Sequence, residues 1–142
     1  MDRGMLVKVC YLDFSKAFDS VRHHLLMQKL ECFGVSGTLK NWVADFLHDR
    51  TFRVRVGECD SDVARVTSGV PQGSVLGPLL SLMFINDLAE DLTNACFIFA
   101  DDVKLAGTDI ESDIKKVFKW AQDWDLTLNI EKCQVLNWSR RT

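Results

Sequence analysis

Two adjacent aspartates, Asp101 and Asp102, interrupt an apolar run that is otherwise typical of buried β-structure. Residues 95–100 before them are apolar throughout, and residues 103–106 after them are largely apolar. This pattern predicts a tight β-hairpin with the two acids at its tip. Neighbouring carboxylates in an apolar setting repel one another and lose hydration, and a bound cation is the usual compensation.

A third acid, Asp13, ends another apolar segment, residues 7–14, which we interpret as a buried strand. If the two strands are neighbours, all three carboxylates can converge. Carboxylates at strand ends can hold two Mg²⁺ ions about 3.5–4 Å apart, as in phosphoryl and nucleotidyl transfer. Taken alone, however, an Asp-Asp pair is common in surface turns, so the spacing by itself leaves that alternative open.

The remaining periodicity predicts an α+β fold in which helices cover one face of an antiparallel sheet. The length of 142 residues is that of one domain. We expect further strands over 52–56, partly buried, and over 133–138. We expect helices over 38–47, 79–88 and 110–124, with the helix over 79–88 buried on all sides.

Cysteine spacing, apolar content and net charge indicate the kind of compartment and partner that the chain could have. The five cysteines lie far apart without Cys-x-x-Cys spacing, which argues against a disulfide framework or a zinc site and for a reducing compartment. The longest apolar stretch, 75–85, is too short and too interrupted to span a bilayer. We therefore expect a soluble intracellular protein, nuclear or cytoplasmic, without membrane contact. The net charge of −3 lacks the basic excess of most nucleic-acid enzymes.

Four segments together resemble the reverse transcriptases of non-LTR (LINE-type) retrotransposons. Residues 11–21 resemble their motif A, residues 68–80 with 85–88 motif B, residues 99–102 motif C and residues 128–133 motif D. The motifs occur in the family's order and spacing and cover nearly the whole chain. The resemblance implies a right-hand polymerase palm over 1–142, partial, carrying motifs A to D, with truncated fingers and no thumb.

The resemblance also implies the metal site. Asp13 and Asp101 would bind two Mg²⁺ ions, with Mn²⁺ as a substitute, and Asp102 would be a weaker ligand. We expect the carboxylates of Asp13 and Asp101 to face one another across adjacent strands. Lys132 would protonate the pyrophosphate or pair with its charge, although a surface lysine remains an equal alternative.

The nucleotide pocket follows from the same resemblance. Main-chain groups of Phe14, Ser15, Lys16 and Ala17 would lie near the triphosphate. Phe18 would exclude the 2′-hydroxyl of a ribonucleotide by a steric clash, whereas its spacing alone would suggest a core residue. Gln72 and Gly73 would line the nucleotide and template pocket, Gly73 because the backbone there approaches the base pair closely.

The function implied is RNA-directed DNA polymerisation, with an RNA template, a DNA primer and deoxynucleoside triphosphates as partners. The chain would be a fragment or a truncated retrotransposon copy. One alternative is a non-catalytic remnant that at most binds nucleic acid or a protein partner. Another is a related palm enzyme, such as a group II intron maturase or a viral RNA polymerase, which Phe18 and the long motif B match disfavour.

Overall fold

The structure is a computed structural model that describes residues 6–139. These residues form two compact units, one of residues 6–17 with 85–139 and the other of residues 18–84. Helices α1 (Ala17–Ser20) and α4 (Leu76–Ile85) lie at the boundaries between them in the chain. The expectation of one palm domain over 1–142 extends beyond the described residues and stays a prediction.

The first unit contains a four-stranded antiparallel sheet in the order β6-β7-β1-β8. Its strands are β1 (Leu6–Asp13), β6 (Ala95–Phe99), β7 (Asp102–Gly107) and β8 (Gln134–Ser139). Side chains alternate across each strand, so Leu12 and its partner Val103 are buried on one face, while Tyr11 and Lys104 are exposed on the other. The predicted strands and the α+β class are confirmed.

Helix α5 (Glu111–Asp123) contributes the buried Val117 and Ala121 to the core of this unit, and its Trp120 ring contacts the ring of Phe14. The apolar spacing over 110–124 predicted this helix. A 3₁₀ turn (Asn86–Ala89) precedes β6. No helix among residues 6–139 is long and apolar enough to cross a bilayer, and the compartment stays a prediction.

The Asp113 carboxylate, in the first turn of α5, is fully buried and holds the segment before β6. It accepts hydrogen bonds from the backbone amides and side chains of Thr93 and Asn94, at 2.8–3.2 Å. Burial by itself raises the pKa of Asp113, but these hydrogen bonds outweigh it and hold the pKa well below its usual range. The ionised carboxylate therefore stabilises the fold.

Replacing Asp113 with alanine should lower the free energy of unfolding by about 3 kcal/mol, because four partly buried donors of Thr93 and Asn94 lose the carboxylate that accepts their hydrogen bonds. Since the folded-state pKa is depressed, this stabilisation is present above the unfolded value of about 4 and is lost as the pH falls below it. Urea unfolding at pH 7 and pH 3 checks this. The difference between wild type and Asp113→Ala should shrink at pH 3, and an equal difference at both would contradict the assignment.

The second unit contains helices α2 (His23–Cys32) and α3 (Gly37–Leu47), most of α1 and α4, and two short antiparallel strand pairs, one nested inside the other. Helices α2 and α3 bury Leu26, Leu30, Val43 and Leu47. Strand β2 (Thr51–Phe52) pairs with β5 (Ala64–Arg65), and β3 (Arg55–Val56) pairs with β4 (Cys59–Asp60). The expected partly buried strand over 52–56 is wrong: it is split into two strands, and both are exposed.

Helix α4 also departs from expectation. Leu80 and Phe84 are buried, whereas Leu79 and Leu82 are half exposed at 50% and 49%. The helix is thus covered on one side within the described residues, although its sequence is apolar nearly all round. Apolar composition indicated burial, but it does not determine which side of a helix finds a packing partner.

Candidate active site

Asp13 and Asp102 lie directly opposite one another at the paired ends of β1 and β7. Side chains of cross-strand partners project from the same face of a sheet. Both carboxylates therefore project from the face opposite to that of Leu12 and Val103, which are buried. The Asp13 side chain is 20% exposed and Asp102 is exposed.

Asp101 occupies the turn between β6 and β7 rather than the ladder. The hairpin with acids at its tip is as predicted, and β7 is the neighbour of β1. The residue opposite Asp13 is nevertheless Asp102, not Asp101 as we expected. Ala100, before the acids, has a positive φ of 54° and completes the tight turn.

The segment 127–132 forms hydrogen bonds with the backbone around Asp13. The Asn129 amide donates to the Asp13 carbonyl at 2.8 Å, and the Ser15 amide donates to the Thr127 carbonyl at 2.8 Å. A turn in which the Lys132 amide donates to the Asn129 carbonyl brings Lys132 back towards the strand end. Its Nζ lies 3.3 Å from Asp13 Oδ2, so motifs A and D meet at this carboxylate.

The Oδ2 atom of Asp13 is shielded from solvent and has no hydrogen-bond partner among residues 6–139. The Lys132 contact is close enough for an ion pair but lacks hydrogen-bond geometry. A cavity of about 280 Å³ lined by Asp13, Asp102, Lys132 and Gln134 opens beside it. A buried carboxylate oxygen without a hydrogen bond, opposite a second carboxylate, is a donor set that suits a hard divalent cation. Among residues 6–139, no three His, Cys, Asp or Glu side chains are grouped closely enough for a metal.

The residues after Asp13 differ in what they can offer a ligand. Phe14 is buried against Trp120, and the Ser15 amide already donates to Thr127. Lys16 is exposed with a positive φ of 49°, and Ala17 is buried. Phe18, the first residue of the second unit, is half-buried, which fits neither a fully packed core residue nor a free surface one.

In the second unit, the end of motif A and the motif B loop are bound together over a short stretch. The Val70 amide donates to the Phe18 carbonyl and the Gly69 amide to the Val21 carbonyl, both at 2.8 Å, and the Ser68 hydroxyl donates to the Asp19 carbonyl at 2.9 Å. A Cβ on Gly69 would lie 2.8 Å from the Asp19 Cα. The loop therefore packs against motif A without room for a side chain.

Gln72 and Gly73 lie at the exposed end of this loop. Gly73 has a positive φ of 79°, yet nothing lies within 4 Å of the place where its Cβ would be. Within the protein its glycine is thus required by backbone conformation, and the proposed approach to a base pair stays a prediction. The Gln72 amide donates to the Asp19 carboxylate at 3.0 Å. The sequence alone did not indicate Asp19 as a site residue.

Comparison with known proteins identifies the family of the chain. Residues 5–142 match the family described as reverse transcriptase (RNA-dependent DNA polymerase). The chain is 32% identical to the RNA-directed DNA polymerase from mobile element jockey of Drosophila melanogaster, over 93% of this chain and 16% of that protein. It is 27% identical to the Pol polyprotein from type-1 retrotransposable element R2 of Popillia japonica, over 95% and 25%.

Solved structures share the fold. A telomerase from Candida tropicalis, truncated from its C-terminal domain, superposes with a TM-score of 0.71 at 16% identity, over 96% of this chain and 32% of that one. The same telomerase with a fragment of telomeric RNA gives 0.72 at 15% identity, over 96% and 27%. The chain thus has the fold of a right-hand polymerase palm, and it spans a quarter or less of these curated relatives.

Proposed function

Because the chain belongs to the reverse transcriptase (RNA-dependent DNA polymerase) family, we propose that it is the palm of an RNA-directed DNA polymerase. The reaction joins the primer 3′-hydroxyl to the α-phosphate of a deoxynucleoside triphosphate and releases pyrophosphate. The RNA template, DNA primer and deoxynucleotides are partners by the same proposal. The names of the retrotransposon relatives support it.

The observation that carries the proposal is the carboxylate pair at the ends of β1 and β7, with the hydrogen-bond-free Oδ2 of Asp13. Asp13 and Asp101 would hold two Mg²⁺ ions, or Mn²⁺ in their place, and Asp102 would be a weaker ligand. When bound, these ions would activate the primer hydroxyl and stabilise the leaving pyrophosphate. The cross-strand position of Asp102 supports a direct share in holding them.

Lys132 would act beside the metal ligands. In the protein alone its ammonium group balances the charge of Asp13 at 3.3 Å. Its side chain is 66% exposed, so it is free to turn towards a second anion. It would pair with the charge of the departing pyrophosphate or give it a proton.

The main chain of Phe14, Ser15, Lys16 and Ala17 would lie near the triphosphate. Gln72 and Gly73 would line the nucleotide and template pocket. The Ser15 amide is already donated within the protein, so it supports the loop and offers no hydrogen to a phosphate. Phe18 would fill the space that a ribose 2′-hydroxyl needs. This selection rests on a clash and not on an attraction.

Primer extension on an RNA template with labelled deoxynucleotide tests the proposal. Asp101→Asn and Asp102→Asn should each lower the rate at least about a hundredfold, because asparagine keeps the shape and removes the charge that holds the cations. Asp45→Asn, an exposed acid on α3, is the matched control and should retain the rate. Extension at the wild-type rate by both site variants would refute the metal assignment, and extension by no variant, wild type included, would favour the non-catalytic remnant.

Phe18→Ala should lower the preference for deoxynucleotides over ribonucleotides at least about tenfold, because the pocket gains room for the 2′-hydroxyl. The measurement is the ratio of kcat/KM for the two substrates in the same assay. Phe52→Ala, which shortens an exposed phenylalanine of the second unit, is the control. An unchanged ratio in Phe18→Ala would leave Phe18 as a packing residue.

A further inference from the structure

The hydrogen bond between Gln72 and Asp19 joins two residues that lie far apart in the sequence. Gln72 Nε2 donates to Asp19 Oδ1 at 3.0 Å across 53 positions. Both side chains are exposed. Because both side chains are exposed, the contact adds little buried surface to the unit, and its direct effect is to orient the two groups.

The backbones that carry the pair are fixed to one another. The Ser68 hydroxyl and the Val70 amide bind the carbonyls of Asp19 and Phe18, and Gly69 lies against the Asp19 backbone. The Asp19 backbone is therefore held at the base of the loop. The side-chain torsions of Gln72 and Asp19 remain free, and the hydrogen bond between the two groups restricts them.

We propose that Asp19 is a positioning residue that orients the Gln72 amide for contact with the incoming nucleotide. This inference rests on the proposed function, which places Gln72 in the nucleotide pocket. A glutamine amide has two donor hydrogens and an acceptor oxygen, and its two ends look alike in shape. Because a carboxylate only accepts, it selects the nitrogen end, and the Gln72 oxygen and second hydrogen then remain available to a ligand.

Space for that ligand lies next to the pair. A cavity of about 370 Å³ is lined by Asp19, Gln72, Ser68 and Arg50, among other residues of the loop. An orientation that is set before binding lowers the entropy lost when the nucleotide arrives. Loss of the carboxylate should therefore weaken nucleotide binding more than it slows the chemical step.

The first test measures the Gln72 amide directly in the purified ¹⁵N-labelled chain by NMR. The side-chain NH₂ shifts and the ¹H–¹⁵N heteronuclear NOE should report an ordered group in wild type. Asp19→Ala should move both towards the values of a free glutamine, whereas Asp19→Asn, which keeps the acceptor oxygen, should retain most of the order. Asp62→Ala is the charge control, an exposed acid of the same unit. An equally ordered amide in Asp19→Ala would overturn the proposal.

The second test is a double-mutant cycle in primer extension. Asp19→Ala should raise KM for the deoxynucleotide roughly threefold to tenfold, the scale of one exposed hydrogen bond, with a smaller change in kcat. In a Gln72→Ala background the same substitution should have no further effect, because Asp19 acts through Gln72. Independent effects in the two backgrounds would overturn the proposal. Absence of extension by wild type would count against the proposed function, and the NMR result would then decide the role of Asp19.

Discussion

Replacing Asp13 with asparagine should lower nucleotide incorporation about a thousandfold and leave the melting temperature within about 4 °C of wild type. Asp13 supplies the carboxylate oxygen that is shielded from solvent without a hydrogen bond, and asparagine cannot provide the same negative charge to a cation. Stability should hardly change, because two opposing effects nearly cancel. The variant loses an ion pair with Lys132, and it also loses the repulsion of a like charge directly opposite, at Asp102.

Two measurements separate this expectation from simple unfolding. Thermal unfolding followed by circular dichroism should give nearly the same transition for Asp13→Asn and wild type. Paramagnetic broadening by Mn²⁺ in the NMR spectrum should centre on residues 11–13 and 101–103 in wild type and fade in the variant. Lys132→Met is the companion variant, since it breaks the same ion pair but keeps the carboxylate, and it should retain Mn²⁺ binding. A variant that keeps its activity would remove Asp13 from the site.

The periodicity of the sequence predicted the elements of the first unit well, and the reason is physical. Strand β1 and the hairpin of β6 and β7 are apolar runs bounded by acids or turn residues, and α5 has its apolar residues at helical spacing. These are local signals. The pairing register is not local, and it determines that Asp102 and not Asp101 stands opposite Asp13.

The long-range contacts in the second unit could not be predicted from the sequence, for a similar reason. In the part of the chain that the structure describes, the Asp19 carboxylate accepts from Gln72, which is distant in the sequence, and this contact exists because the loop folds back onto motif A. The alternation of Phe52, Arg53, Val54, Arg55 and Val56 suggested a half-buried strand, but no neighbouring element covers it among the described residues of this unit. A sequence pattern indicates which side chains can lie on the same face of a strand, but it does not indicate whether another element covers that face.

Replacing Gly69 with alanine should lower the free energy of unfolding of the second unit by about 4 kcal/mol. Its φ of +90° is unfavourable for any side chain, and an added Cβ would lie 2.8 Å from the Asp19 Cα and 3.0 Å from the Phe18 carbonyl oxygen. Both contacts are to backbone, so no side-chain rotation relieves them. The loop would have to move away from motif A and stretch the hydrogen bonds that join them.

The Gly73→Ala variant separates the two causes of destabilisation, the backbone strain of a positive φ and the steric clash of the added methyl group. It has nearly the same positive φ, +79°, but open space where the methyl group would go. Its destabilisation should be limited to the backbone term, about 1–2 kcal/mol. Urea unfolding followed by the signals of residues 18–84 measures both variants. Equal losses would mean that the close approach at Gly69 contributes nothing, whereas a larger loss at Gly69 assigns the difference to the contact between the motif B loop and motif A, on which the orientation of Gln72 depends.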